Sequence, residues 1–378
     1  MKDQAIPLLG GLTAEAFLAE YWQKKPLLIR QAVQDLDPIV DFSVLKQLAV
    51  RDDVESRLVE YRANRWHLEQ GPFRPSRFQR LPETDWTLLV QSVNHHLPHI
   101  ADLLWRFDFI PYARLDDLMI SYAPPGGTVG PHFDSYDVFL LQVGGKKRWQ
   151  ISAQSEAQLG LVEDAPLKIL KSFVADQTWE LEEGDMLYLP PKYAHYGVAL
   201  EPGMTYSIGF RAPSAQELAN QFLVHLQDHL CLDGHYADPD LSWQANPAEI
   251  SPAMVAQISQ MLAKIQWNHH TIGDFLGRYL TEPKAHVFYD PPEDPLDEAA
   301  FLSCWQAGNA LVLDLKTQLL SYQSSFYVNG EKLEVPYQDM TWWADFAAKR
   351  RANYADLSSE TVNLLYDAYL CGYWQFQN

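Results

Sequence analysis

Apolar positions change their period twice along the chain. Up to about residue 213 they fall in short runs. A helix is predicted over 14–23 with Thr13 as its N-cap, and 27–30 (LLIR) reads as a short strand. From Leu118 onward the period is that of strands, at 118–123, 138–143, 148–152, 186–189 and 205–210. Gly144-Gly145 predicts a hairpin turn between two of them. Short antiparallel strands set off by Gly and Pro turns predict a jelly roll or barrel.

From Ser214 the pattern becomes helical. Ser214-Ala-Gln-Glu217 is a capping box, and Leu218, Phe222, Leu226 and Leu230 follow at four-residue steps along one face. Ser251-Pro252 opens a second helix, and a third is expected over 272–280. Three short helices make a thin core. They must pack on the first region or on a second copy of the chain, and the sequence leaves both outlets open. The acidic, proline-rich run 290–295 marks a boundary. A helix at 297–306, strand-like segments at 311–315 and 322–328, and an Asn329-Gly330 turn into 332–335 then resemble a winged helix. The expected division is 1–213, 214–285 and 286–378, an α+β chain of 378 residues.

Charge narrows the function. Lys+Arg is 29 against Asp+Glu 49, a net charge of −20. The segment from His286 carries 13 acidic and five basic residues. A winged helix of that charge is a poor reader of DNA, so no direct DNA binding is expected, whereas a basic partner would be steered inward. The three cysteines, Cys231, Cys304 and Cys371, are far apart and suggest neither disulfides nor a zinc site. With no basic-then-apolar leader and no long apolar run, no membrane is expected and the cytoplasm is the default compartment.

The chemistry concentrates in Pro124-Pro-Gly-Gly-Thr-Val-Gly-Pro-His132-Phe-Asp134. His-x-Asp puts two metal-competent side chains on one face of an extended strand. Alone it means little: 12 His and 49 acidic residues give about 1.6 chance matches to His-x-Asp/Glu. The second match, His67-Leu-Glu69, sits in a polar stretch with no companion pattern and reads as structural. His132, in contrast, precedes strand, glycine turn and strand. Then comes Gly184-Asp-Met-Leu-Tyr-Leu-Pro-Pro-Lys-Tyr-Ala-His195, a returning barrel strand that supplies a third ligand, His195. Two His and one carboxylate leave open positions on a metal, as non-haem iron oxygenases require.

The combination resembles the JmjC oxygenases, iron(II)- and 2-oxoglutarate-dependent enzymes on a double-stranded β-helix. Trp22-Gln-Lys-Lys-Pro26 is also like that family. The stretches at 54–58, 85–91, 116–121, 132–139 and 206–213 are similar to its bacterial ribosomal oxygenase subgroup, which hydroxylates an arginine of large-subunit ribosomal protein L-sixteen.

The resemblance implies a cupin-like JmjC domain with a helical dimerisation domain and a winged-helix tail. It implies that His132, Asp134 and His195 hold Fe(II). The cosubstrate 2-oxoglutarate and O₂ then drive hydroxylation of an unactivated C–H. The family anchors the distal carboxylate of 2-oxoglutarate with a basic residue after the glycine turn. Among Lys146, Lys147 and Arg148, strand parity groups Lys147 with Trp149 and Ile151 and points it inward. Ser121 fits the family's hydroxyl partner. An arginine substrate calls for carboxylates and aromatics, and Asp117, Tyr136 and Asp137 are the expected contacts; Asp116 reads rather as a turn residue. The expected partner is a basic ribosomal protein, and the expected assembly a homodimer. Histidyl hydroxylation, lysyl demethylation, a metal isomerase and a non-catalytic cupin-like sensor remain as alternatives.

Overall fold

The computed structural model describes residues 4–34, 40–154 and 160–377. The chain divides into two compact units. One comprises Met1–Ala212 with Lys284–Pro291 and Asp314–Lys316; the other comprises Pro213–Pro283, Pro292–Leu313 and Thr317–Asn378.

The first unit holds eleven strands among the described residues: β1 (Leu27–Ile29), β2 (Ser56–Arg62), β3 (Arg65–Gln70), β4 (Trp86–Val90), β5 (Leu115–Ala123), β6 (Val138–Val143), β7 (Lys147–Ser152), β8 (Gln177–Leu181), β9 (Met186–Leu189), β10 (Ala194–Ala199) and β11 (Gly203–Phe210). Eight form a sheet in the order β1-β9-β6-β11-β5-β4-β2-β3, and three form a second sheet, β10-β7-β8. Every pairing is antiparallel.

Strand alternation sorts the large sheet into two faces. Leu88 and Val90 of β4, Leu118 and Ile120 of β5, Phe139 and Leu141 of β6, and Tyr206 and Ile208 of β11 join one core. Phe17 of α1 (Ala14–Glu20) and Phe107 pack into that core, where Phe17, Phe107, Phe139, Tyr188 and Phe210 form a cluster of ring contacts. On the opposite face, Val138, Leu140, Leu187 and Leu189 meet Trp149, Ile151 and Leu181 of the small sheet. Because β6 and β9 are buried on both faces, their sequences, Gln142 apart, are apolar rather than alternating.

Thr13 caps α1 as expected, accepting from the Ala16 amide, but the helix ends at Glu20. The β2–β3 hairpin and β4 were not expected, because their rows are polar or mixed on the face turned from the core.

In the second unit, α5 (Ala215–His229) is capped by Ser214, α6 (Pro252–Leu262) by Ser251, and α7 (His269–Thr281) by Asn268 with Thr271 in a capping box. The segment expected as one strand at 322–328 is instead a hairpin, Leu319–Tyr322 and Ser325–Val328, turned at Gln323 with φ +51°. Gly273 and Gly277, one turn apart on α7, leave no room for a Cβ against the rings of Tyr322 and Tyr327. Side chains there would push helix and hairpin apart. The third helix therefore packs with the C-terminal segment, across the division expected at 285.

Candidate active site

One strand residue, His195 of β10, and a bridged segment before β6 bring the metal-competent groups together. His132 and His195 form an antiparallel bridge, each amide donating to the other's carbonyl at 3.0 and 2.9 Å. Their rings stand 4.2 Å apart between centroids, inclined by 61°. Asp134, two residues from His132, reaches both: Oδ1 lies 3.9 Å from His132 Nε2 and Oδ2 lies 3.5 Å from His195 Nε2. The Nδ1 atoms are held by carbonyls two residues back, His132 at 2.9 Å from Gly130 and His195 at 3.1 Å from Tyr193. With Nδ1 as donor, each Nε2 is left with a free lone pair aimed at Asp134. Burial, reinforced by His132, pulls the pKa of His195 down to about 4, so it stays the neutral imidazole a metal needs. The donor set fits a divalent metal held on one side. His67 is elsewhere, opposite Glu60 on the β2–β3 hairpin.

The triad opens on a cavity of about 350 Å³ between the two sheets. Its walls are the residues that alternation turns away from the core: Asp117, Met119 and Ser121 on β5, Thr205, Ser207 and Gly209 on β11, Thr87 and Leu89 on β4, and Gln91 just past its end. Lys147 and Trp149 enter from β7.

Lys147 lies where parity placed it, buried at 8% exposure. Its Nζ donates to Thr205 Oγ1 at 3.0 Å and sits 4.8 Å from the Trp149 ring centre. Desolvation, with no carboxylate to offset it, lowers its pKa to about 8. Such a charge fits an incoming anion. Ser121 is also buried on the cavity wall, in register with Thr205. Lys146 and Arg148 instead pair with Glu182 and Glu180 at the surface. The sequence reading overlooked Thr205. Its signal was the polar run Thr205, Ser207, Gly209 at alternate positions of an apolar strand.

Asp117 is buried, and its Oδ2 accepts from the Ser92 amide (2.9 Å), Ser92 Oγ (2.9 Å) and Gln91 Nε2 (3.2 Å). Oδ1 faces the Gly209 side of the cavity. Burial, then the neighbouring Asp116, push this carboxyl up, a penalty that a cation would relieve. Tyr136 also lines the cavity, with its ring exposed at 42%. Asp116 is an ion-pair partner of Lys284 at 3.1 Å and Arg211 at 3.5 Å rather than a simple turn residue.

Asp137 is a correction. Tyr136 and Val138 face the cavity, so the residue between them points away. Asp137 is wholly buried, accepting from Tyr188 Oη at 2.6 Å on Oδ1, and from Gln23 Nε2 at 2.9 Å and Arg114 at 3.2 Å on Oδ2. Both oxygens are occupied in holding the Trp22 segment to the sheet, and neither is offered to a substrate.

A second metal-competent cluster, His225, His229 and Asp274, lies in the helical unit. There the carboxylate already has Arg278 at 3.2 Å, Tyr327 Oη at 3.0 Å and Lys332 at 3.9 Å, so its negative charge is met by the protein.

Residues 102–218 match the JmjC domain family and residues 264–375 the ROXA-like winged helix. The chain belongs to the JmjC proteins that carry this winged helix, the ribosomal oxygenases. It is 33% identical over 365 residues to the ribosomal protein uL16 3-hydroxylase of Escherichia coli, covering 96% of this chain and 97% of that one. It is 36% identical over 259 residues to a probable ribosomal oxygenase of Haemophilus influenzae, covering 67% and 60%. A solved structure of the Escherichia coli ribosomal oxygenase in complex with cobalt and 2-oxoglutarate superposes with a TM-score of 0.84 at 31% identity, over 97% of this chain and 99% of that one. Among the described residues, no helix is long and apolar enough to cross a membrane.

Proposed function

We propose that the protein is an iron(II)- and 2-oxoglutarate-dependent hydroxylase that places a hydroxyl on the β carbon of an arginyl residue of a large-subunit ribosomal protein. One observation carries the reading. A single cavity holds a His132–Asp134–His195 donor set, a buried lysine with no anionic partner, and a buried carboxylate with one oxygen unclaimed. Those are the complements of a metal, a dicarboxylate and a guanidinium. The named activity of the Escherichia coli relative supports the same assignment.

Iron bound at the triad, with 2-oxoglutarate and O₂, supplies the oxidation: one oxygen atom enters the C–H bond, the other enters succinate, and CO₂ leaves. The chain's own residues do the positioning. The Gly130 and Tyr193 carbonyls fix both imidazole tautomers. Lys147, Thr205 and Ser121 hold the distal carboxylate, which sets the direction of the 2-keto end toward the triad. Asp117 Oδ1 accepts the guanidinium and Tyr136 covers it, which aims the side chain's methylenes inward. Only the arginine's flexible stem then stands between that anchor and the metal.

The remaining roles rest on chemistry of the same kind. The net charge of −20 suits a basic ribosomal protein and opposes direct DNA binding. The helical segment 214–285 carries exposed Leu223, Leu241, Trp243, Val255 and Leu262, which a second copy would cover in a homodimer. Location in the cytoplasm follows from a ribosomal substrate. The test is reconstitution with Fe(II) and 2-oxoglutarate, offering arginyl, histidyl and methyl-lysyl ribosomal or histone peptides and reading mass gain for hydroxylation and mass loss for demethylation. Modification of the arginyl fragment alone supports the assignment, and preference for another side chain overturns it.

A further inference from the structure

One wall of the cavity has no assigned work. Arg57 of β2 faces inward, in register with Leu89 of β4, which is itself in register with Ser121 of β5. Its Nε is shut off from solvent and has no hydrogen-bond partner, and no carboxylate among the described residues pairs with it. Thr87 Oγ1 on the adjoining strand β4 and Gln91 Oε1 just past its end are likewise buried and unpartnered on the same wall. Three unsatisfied polar groups on one wall are rare in a folded interior, where each carries a desolvation penalty until a partner arrives.

The sets divide by chemistry. Gln91 donates its Nε2 to Asp117, which leaves its oxygen as an acceptor beside the place proposed for the guanidinium. Arg57 offers donors only, and a guanidinium cannot satisfy them. The ligand for Arg57 must present oxygen acceptors. The dicarboxylate already has Lys147, Thr205 and Ser121. In a peptide, the groups that must accompany any arginine side chain are its own and its neighbours' main-chain carbonyls.

We propose that Arg57, with Thr87, forms a subsite for the peptide main chain, gripping carbonyl oxygens of the substrate segment. The inference rests on the proposed arginyl hydroxylation. Arg57 is a positioning residue: it acts through the substrate's backbone and not on the reacting carbon. Its planar fork can take two acceptors, which a lysine cannot reproduce.

The experiment measures steady-state kinetics of the full-length enzyme on a ribosomal protein fragment, for wild type, Arg57→Gln, Arg57→Lys and Thr87→Val. Arg57→Gln is expected to raise KM for the fragment about tenfold or more, as loss of a charge-assisted hydrogen bond does. Arg57→Lys should recover part of that, and Thr87→Val should raise KM by a few-fold. KM for 2-oxoglutarate should move less than twofold in all three. Thermal melting accompanies each variant, and Thr87→Val, nearly isosteric, keeps the test open should Arg57→Gln fold poorly. An unmoved fragment KM in folded variants overturns the inference, as does a rise in the 2-oxoglutarate KM that matches the fragment's. A wild type that hydroxylates no arginyl fragment removes the functional reading, and this subsite with it; a wild type that does so while the variants match it removes the subsite alone.

Discussion

Lys147→Met should make the empty protein more stable and the working enzyme worse. The ammonium is buried with a hydroxyl and an aromatic face as its company, and its pKa falls from the usual 10.5 to about 8. At about 1.4 kcal/mol for each pH unit, holding that proton inside costs about 3 kcal/mol. The sign follows from linkage. The unfolded chain binds the proton more tightly than the folded one, so the penalty is fully present below about pH 8 and fades as pH rises toward 10.5. Methionine fills similar space with no charge. The variant should therefore gain up to about 3 kcal/mol at pH 7, with the gain shrinking above pH 8. In the role proposed for Lys147, the bound dicarboxylate would reverse the balance, its distal carboxylate supplying the anion beside the ammonium. Removing the lysine leaves that carboxylate unpaired, and Kd for 2-oxoglutarate should rise about a hundredfold, as truncation of a buried charge pair does. Calorimetric unfolding from pH 6 to 10 without 2-oxoglutarate reads the first effect, and isothermal titration with 2-oxoglutarate in the presence of Mn(II) reads the second. A variant less stable at pH 7, with unchanged affinity for 2-oxoglutarate, would refute the reasoning.

Other outcomes follow from the same geometry. Asp117→Asn, which keeps the shape and removes the charge, should raise KM for an arginyl fragment about tenfold to a hundredfold while leaving KM for 2-oxoglutarate alone; steady-state kinetics in each substrate checks it. Raising ionic strength should lower kcat/KM for a basic ribosomal fragment through the net charge of −20, and a flat salt profile would count against steering. Val255→Asp on the exposed face of α6 should convert dimer to monomer in light scattering; a wild type already monomeric at micromolar concentration would refute the proposed homodimer.

The legible part of the fold was the part whose period was forced by burial on one or two faces. The strands β6 and β9 announced themselves as largely apolar runs, and the apolar partners Trp149 and Ile151 set the parity that put Lys147 inside. The hairpin β2–β3 and strand β4 stayed hidden because their cavity faces carry Arg57 and Thr87, which look solvent-facing when the cavity is unseen. Asp137 misled for a related reason. Adjacency to Tyr136 suggested a shared role, but strand alternation sends neighbours to opposite faces, and the residue is a buried acceptor for Tyr188 and Gln23. The split of 322–328 turns on Gln323 at positive φ, a conformation that a glutamine does not advertise. The metal triad was legible because two of its members are two residues apart and the third follows a recognisable strand. The claim that those three residues hold the ion remains the central one.

The most direct test is anaerobic titration of the apoprotein with Fe(II), followed by 2-oxoglutarate and then air with an arginyl ribosomal fragment, alongside His195→Ala. One iron should bind for each wild-type chain, with succinate release and an oxygen atom added to the fragment in equal amounts. Neither product should form from the variant. Undiminished iron binding and turnover in His195→Ala would remove His195 from the metal site.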